Sequence, residues 1–361
     1  MKGRRGALGC LTRALRGEAV AAADWTAILA LANEHLLTPL LWSVVGSSGH
    51  AEAIPVDVRA YLQALHALNG ERNAAIRGQS VELLGALNEA GIVPVLLKGA
   101  LTLFDGPYGD PAARMMRDID VLVPAASRNA AIGVLERLGY RLARGYGESH
   151  HAFGDFAREG DPAAVDLHTE LVDPHYVLPA AEVRERGALR QFEGVRLVTP
   201  SATDRILHNF LHAQIHHLGH HYRGEMLIAQ IYEMTVLVRS FGAAIDWSLV
   251  ERRLETHHLA TPLESYLVAA QRLFGLDWPL SRQPRLASRV HYFRCKLQAH
   301  SALLRWLGIT WGNMRGPLAW HRMRALYGKD GSALAWRCRH IAQFLQKKGA
   351  RASVARLGRA E

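Results

Sequence analysis

The run Arg117-Asp118-Ile119-Asp120-Val121-Leu122-Val123 sets the tightest constraint on what this chain can fold into. Its β-branched apolar residues read as a buried strand, stopped by Pro124. Side chains two apart on a strand share a face. Asp118 and Asp120 therefore project together, while Ile119 and Val121 enter a core. Two carboxylates on one face of a buried strand repel each other and lose hydration. A cation relieves both costs, and hard oxygen ligands select Mg²⁺ or Mn²⁺.

Two further strands fit the same logic. Ile92 to Leu97 is a short apolar run closing on Lys98-Gly99, with a short helix expected over Ala100 to Phe104. Gly99 allows close backbone approach, and helix-start N–H groups favour phosphate. Lys98, Arg114 and Arg117 are placed to offset triphosphate charge. Ala164 to Leu171 is the other strand, in which Asp166, His168 and Glu170 alternate onto one face. If it lies beside the first, Asp166 completes a two-metal site, of the kind that holds ions roughly 3.5–4 Å apart.

Around these strands the texture is helical. Residues 1–85 are rich in Ala, Leu and Glu, with a break or kink at Pro39. Ser127 is a candidate N-cap for a helix ending at Leu138. Weaker strands are expected at 140–143, 151–157 and 196–198. From Ser201 the pattern is helical again, with Ser201, Thr203 and Asp204 as caps and helices over 224–241, 247–257, 261–273 and 287–306. The expected fold class is α+β, with a small mixed sheet flanked by helical regions. The expected divisions are a helical region over 1–85, an α/β core over 86–200, a helical domain over 201–300 and a basic, aromatic-rich tail over 301–361.

The order of motifs carries more than any one of them. Leu97-Lys98-Gly99, Arg114, Asp118-Ile119-Asp120-Val121-Leu122-Val123 and Val165-Asp166-Leu167-His168 together resemble uncharacterised bacterial nucleotidyltransferases of the DNA polymerase β-like superfamily. Asp24-Trp25, Thr203-Asp204-Arg205-Ile206-Leu207-His208 and Asp246-Trp247 resemble the family's flanking markers, so the likeness covers roughly residues 20–275. The resemblance implies a nucleotidyltransferase core that binds an NTP such as ATP. It implies that Asp118, Asp120 and Asp166 bind metal, and that Asp166 also helps to deprotonate the acceptor. It places Lys98, Gly99 and Arg114 on the phosphates, with Arg117 and His168 counted in the nucleotide-binding set. Arg117 departs from the Gly common at its position and adds bulk and charge beside the acids.

Other features bound the reading. The net charge of +10 is concentrated at one end: residues 301–361 hold twelve Lys and Arg against only Asp330 and Glu361. An anionic partner is expected there. Trp306, Trp311, Trp320, Tyr327, Trp336 and Phe344 interleave with those cations, which suits RNA or an anionic membrane, or else a solvated helical cap with its tryptophans turned inward. The alternative to an enzyme is thus a non-catalytic module of the same fold binding RNA, membrane or a partner protein through this end. A third reading takes His208, His212 and His216, spaced along one helical face, as zinc or nickel ligands; the competing reading packs them beside the active site. Cys10, Cys295 and Cys338 are far apart and form no CxxC pair, so a reducing cytoplasm is the expected compartment. No run reaches the ~18 apolar residues of a transmembrane helix. The acceptor is left open: a small molecule, a protein side chain or an RNA end.

Overall fold

The computed structural model describes residues 2–20, 24–146, 152–216, 219–327 and 334–342. Four helices lead: α1 (Lys2–Ala14), α2 (Trp25–Glu34), α3 (Thr38–Ser47) and α4 (Val56–Glu89). Asp24 caps α2 by accepting the Ala27 N–H at 3.1 Å. Pro39 separates helices rather than kinking one. It sits in the first turn of α3, where a missing N–H costs nothing.

α4 runs 34 residues, about 51 Å at the α-helical rise, and acts as a bar along the sheet. Its polar side chains reach across to carbonyls of the opposing loops. Asn69 Nδ2 donates to Ala112 at 2.6 Å and Asn73 Nδ2 to Pro111 at 2.7 Å. Gln79 Nε2 donates to Ala163 at 2.7 Å. Arg72 donates to the carbonyls of Met116 and, at 2.8 Å, Pro162. The bonds to Met116, Pro162 and Ala163 fix the backbone one or two residues before the two acid-bearing strands begin, and those to Pro111 and Ala112 hold the loop leading to β2.

The strands are β1 (Val95–Leu96), β2 (Asp118–Leu122), β3 (Arg141–Gly145), β4 (Ala152–Ala157), β5 (Ala164–His168), β6 (Ala188–Phe192) and β7 (Val195–Thr199). They form one mixed sheet in the order β3-β4-β5-β2-β1-β7-β6. β2 pairs in parallel with β5, and β1 with β7; the other neighbours are antiparallel. Three short helices lie between strands: α5 (Lys98–Asp105), α6 (Arg128–Arg137) and α7 (Ala180–Arg186).

The two-residue alternation divides the sheet. Ile119, Val121, Val123, Val165 and Leu167 pack with Ile76, Leu83 and Leu84 of α4 and with Val134 and Leu135 of α6. Val95 and Leu122 belong to a second cluster with the C-terminal helices. Asp118 and Asp120 are in phase with Leu122, so they face those helices. The helices are α8 (Ala202–Gln214), α9 (His220–Arg223), α10 (Ile228–Phe241), α11 (Trp247–Thr256), α12 (Ala260–Phe274), α13 (Leu286–His300), α14 (Ala302–Arg315) and α15 (Trp320–Tyr327).

The chain is therefore α+β as the sequence indicates, with local differences. Ile92 to Pro94 is not strand; Val95–Leu96 alone forms ladder bonds, and the Pro94 carbonyl accepts from Val198 N–H at 2.8 Å. β6 escaped sequence reading because Ala188-Leu189-Arg190-Gln191-Phe192 is almost wholly exposed and lacks an apolar alternation. β5 stops at His168, and Glu170 instead accepts the Ala180 N–H at 3.0 Å at the start of α7. Ser127 makes no side-chain cap bond. Ser201 does cap α8, accepting the Asp204 N–H at 3.1 Å. The helix expected over 287–306 breaks at Ser301, which takes an extended conformation and caps α14. Phe344 and the last basic residues lie outside the described residues, as does His217.

Candidate active site

The register of β2 on β5 brings the acids together. Asp120 lies opposite Asp166, and Leu122 opposite His168. Asp120 is buried, at 1% exposure. Its Oδ1 accepts Lys98 Nζ at 2.6 Å and faces His168 Nε2 at 3.0 Å. The same His168 nitrogen lies 3.0 Å from Asp166 Oδ2. Asp166 Oδ1 is buried with no hydrogen-bond partner. Asp118, two residues before Asp120, stands at the exposed end of the strand.

The electrostatics follow from this crowding. Burial disfavours a charged Asp120, but Lys98 and His168 outweigh it and hold its carboxyl far below the usual range. Lys98 is raised above the ordinary lysine value, because Asp120 overcomes the cost of its burial. Burial likewise opposes a charge on His168, yet the bonds to Asp120 and Asp166 push its pKa up to about 9. Asp118 has no such partner. Solvent reaches its tip, but the protein packed around it and then the charge of Asp120 push it up to about 6. The sheet thus holds one acid, Asp120, kept fully charged and another, Asp118, that titrates near neutrality.

Lys98 has φ of +44°, a left-handed conformation that side chains resist at roughly 1–2 kcal/mol. It turns the chain from β1 into α5 and delivers the ammonium to Asp120. The Leu97 N–H donates to the Asp120 carbonyl at 3.0 Å, which holds this corner against β2.

Gly99 also makes room for a neighbouring side chain. A Cβ at Gly99 would collide with Nη1 of Arg114 and lie 3.1 Å from Met116 Cβ. The missing side chain thus makes room for the Arg114 guanidinium beside the start of α5. Arg114 is fixed from the other side by Glu233 of α10, at 2.9 Å. Glu233 raises the Arg114 pKa further, against burial. Arg117 is exposed just before β2.

Sequence reading missed two of these supports. Glu233 reaches Arg114 from 119 positions away, and nothing in a helical pattern marks such a partner. Arg72 holds the Met116 and Pro162 carbonyls and lies close enough to Asp118 for its charge to be felt. In the sequence Arg72 stands between Glu71 and Asn73 on a long helix, with nothing to mark it as more than a surface residue.

Beside the acids is a cavity of about 80 Å³ bordered by Lys98, Arg114, Leu171, His208, His212 and Glu233. His208 is buried and its Nε2 has no hydrogen-bond partner. Burial first, then Lys98, pushes its pKa down to about 3, so it is neutral. His212 is driven down in the same way. Among the described residues, the group of acids and histidines with metal-ligand spacing is Asp120, Asp166 and His168, whose ligand atoms lie within 4.8 Å of one another. His208, His212 and His216 form no such group.

Comparison with known proteins gives the context. Two solved structures are similar in part. One is the antibiotic-resistance factor ANT(2'')-Ia, at 16% identity and a TM-score of 0.34, covering 54% of this chain and 95% of that one. The other is an antigenic nucleotidyltransferase-like protein from Paracoccidioides brasiliensis, at 13% identity and a TM-score of 0.34, covering 53% of this chain and 93% of that one. No curated protein matches. The profile of a family described as uncharacterised nucleotidyltransferase matches residues 21–275, a span that holds every strand of the sheet and the whole acid cluster, and the chain belongs to that family.

Proposed function

We propose that the protein is a metal-dependent nucleotidyltransferase that moves a nucleoside monophosphate from an NTP to an acceptor and releases pyrophosphate. One observation carries the reading. Asp120 and Asp166 meet in register on adjacent parallel strands, with a buried oxygen of Asp166 left without a partner. A buried carboxylate oxygen without a donor is costly. A bound cation satisfies it, and the donor set of Asp118, Asp120 and Asp166 suits Mg²⁺ or Mn²⁺. His168 lies within the same group, and its Nε2, 3.0 Å from each of Asp120 and Asp166, holds the two carboxylates in place. When bound, the metal supplies positive charge to the phosphate oxygens and to the attacking and leaving oxygens.

The chain's own residues supply the rest. The acceptor oxygen attacks the α-phosphorus, and the bond from that phosphorus to the bridging oxygen of the β-phosphate breaks. The electron pair leaves with pyrophosphate. Asp166, a carboxylate facing the same space as Asp120, takes the acceptor proton. Lys98 at the start of α5 and Arg114, held by Glu233, offset triphosphate charge, with Arg117 at the exposed entrance. Binding and orientation account for most of the rate in such displacements. The neutral cavity wall of His208 and His212 borders the side from which an acceptor can approach.

The competing reading, a non-catalytic module, has the intact acid set against it. The test is incubation of the purified protein with Mg²⁺ or Mn²⁺, each α-labelled NTP and a cell extract as acceptor source. Transfer of label by the wild type, lost in Asp166→Asn with its thermal unfolding unchanged, supports the enzyme. No NTP binding and no transfer by the wild type would sink it.

A further inference from the structure

The last helices present an apolar surface that the nucleotidyltransferase reading does not use. On α13, Leu286, Val290, Phe293 and Leu297 are exposed, at 78%, 58%, 60% and 42%. Their spacing of four, three and four residues places them in one stripe, opposite the buried Ser288, Cys295 and Gln298. α14, which packs on α13, repeats the pattern. Its buried side is Gly308 and Gly312, where added Cβ atoms would strike Gln298 and the Arg223 backbone. Its other side carries Leu303, Leu307, Trp311 and Met314, all exposed, with Leu304 and Trp306 at the margins. Two neighbouring helices thus give their buried sides to glycine and polar packing and their outer sides to large apolar groups. A soluble surface rarely does this without a partner.

The charges say which partner. Between Trp278 and Lys329 there is no Asp or Glu, while Arg and Lys recur throughout. Arg289, Lys296, Arg305 and Arg315 have no acidic partner among the described residues. Arg289 and Lys296 run along one edge of the α13 stripe. A second copy of the same face would bring cation against cation with no acid to answer it. RNA would satisfy the cations and stack on Trp306 and Trp311, but it would leave Leu286, Val290, Leu297 and Leu303 wet. A bilayer surface with anionic headgroups answers both parts. Aliphatic side chains enter the headgroup–acyl boundary, Trp sits at the interface, and Arg and Lys meet lipid phosphates. No helix among the described residues is long and apolar enough to cross a membrane, so the contact would lie in the plane of one leaflet.

We infer that the α13–α14 face is a docking surface for an anionic lipid bilayer, independent of whether the acid cluster transfers nucleotides. The test is co-sedimentation of the full chain with vesicles of phosphatidylcholine alone or with about one-third phosphatidylglycerol, read together with tryptophan emission. The expected result is pelleting with the anionic vesicles only, weakened by salt, with a blue-shifted emission. The double variant Leu307→Glu/Trp311→Glu should lose about tenfold or more in apparent affinity, since two apolar contacts are replaced by charges of the wrong sign. Arg289→Gln/Arg315→Gln, which leaves the apolar stripes intact, should lose several-fold. A thermal unfolding midpoint like the wild type's establishes that each variant is folded. Equal binding to neutral vesicles would overturn the inference. So would no pelleting at all, whether accompanied by concentration-dependent dimers or by retention of single-stranded RNA.

Discussion

His168 and His208 are both buried and both feel the charges of Lys98 and Asp120, yet they hold opposite states. His168 is pushed up to about 9 and stays charged; His208 is pushed down to about 3 and stays neutral. Burial acts on both in the same direction, against the charge. What differs is the partner. His168 has a carboxylate on either side of one nitrogen, at 3.0 Å each. His208 has the Lys98 ammonium as its foremost charged neighbour. The pair teaches that burial sets the stakes here and the nearest opposite charge sets the sign. It also divides the region into a charged half on the sheet, suited to metal and phosphate, and a neutral half on α8.

The largest break in that comparison is Asp120→Asn. It removes the common partner of Lys98 and His168 and leaves two cations in a protein interior. Losing one member of a buried ion pair costs about 3 kcal/mol or more. Urea unfolding should show that loss, and nucleotidyl transfer should fall by about a thousandfold or more. An unchanged unfolding midpoint would mean that the acid is not paired as described.

His168→Gln and His208→Gln set the two histidines directly against each other. His168 has a folded-state pKa raised above the unfolded value. Its contribution, about 3 kcal/mol, is therefore fully present below roughly pH 6.5 and is lost as pH rises through about 9. His168→Gln should be destabilising at pH 6 and close to wild type in stability by pH 10. His208 has a folded-state pKa depressed to about 3, so it contributes no pH dependence above roughly pH 6.5 and opposes folding increasingly below it; His208→Gln should therefore gain stability relative to wild type as pH falls from 7 to 5. Stability curves for both variants from pH 5 to 10 check this, and parallel curves would contradict it.

Two smaller tests sharpen the charged half. In Gly99→Ala the added methyl displaces the Arg114 guanidinium toward Glu233. Nucleotide affinity should drop about tenfold, ~1.4 kcal/mol, by fluorescence titration. An unaltered affinity would detach Arg114 from the nucleotide. Asp118 has a raised pKa, so the group opposes folding above pH 6 and the penalty disappears as pH falls below it. Asp118→Asn should then stabilise the chelator-treated protein at pH 8 by about 1 kcal/mol, a value kept small because solvent reaches the carboxyl. The gain should vanish near pH 4.

The central strands and their acids were legible in the sequence because two-residue alternation is a local pattern. Ile119, Val121, Asp118 and Asp120 sorted themselves onto the correct faces before any pairing was known. The partnership of Asp120 with Asp166 was legible only as a condition, since register is a long-range property. His168 lay within the recognised motif, but its bridging position depends on that register. Glu233, Arg72, Asn69 and Asn73 were invisible, because each holds the site from a helix whose own pattern is satisfied without it. β6 was missed because an exposed edge strand has no buried face to write into its sequence. The break at Ser301 was missed because both flanking segments are good helices and the change is one residue's backbone.

The central claim is that Asp120 and Asp166, brought together by β2 and β5, hold a metal that recruits an NTP. The most direct measurement is calorimetric titration of an NTP into the protein with Mg²⁺, with chelator, and in Asp166→Asn with Mg²⁺. It requires no knowledge of the acceptor. The account predicts binding that depends on Mg²⁺ and is weakened about tenfold or more in Asp166→Asn, whose unfolding midpoint stays near the wild type's. Equal affinity with and without Mg²⁺, or an Asp166→Asn protein that binds as the wild type does, would contradict it.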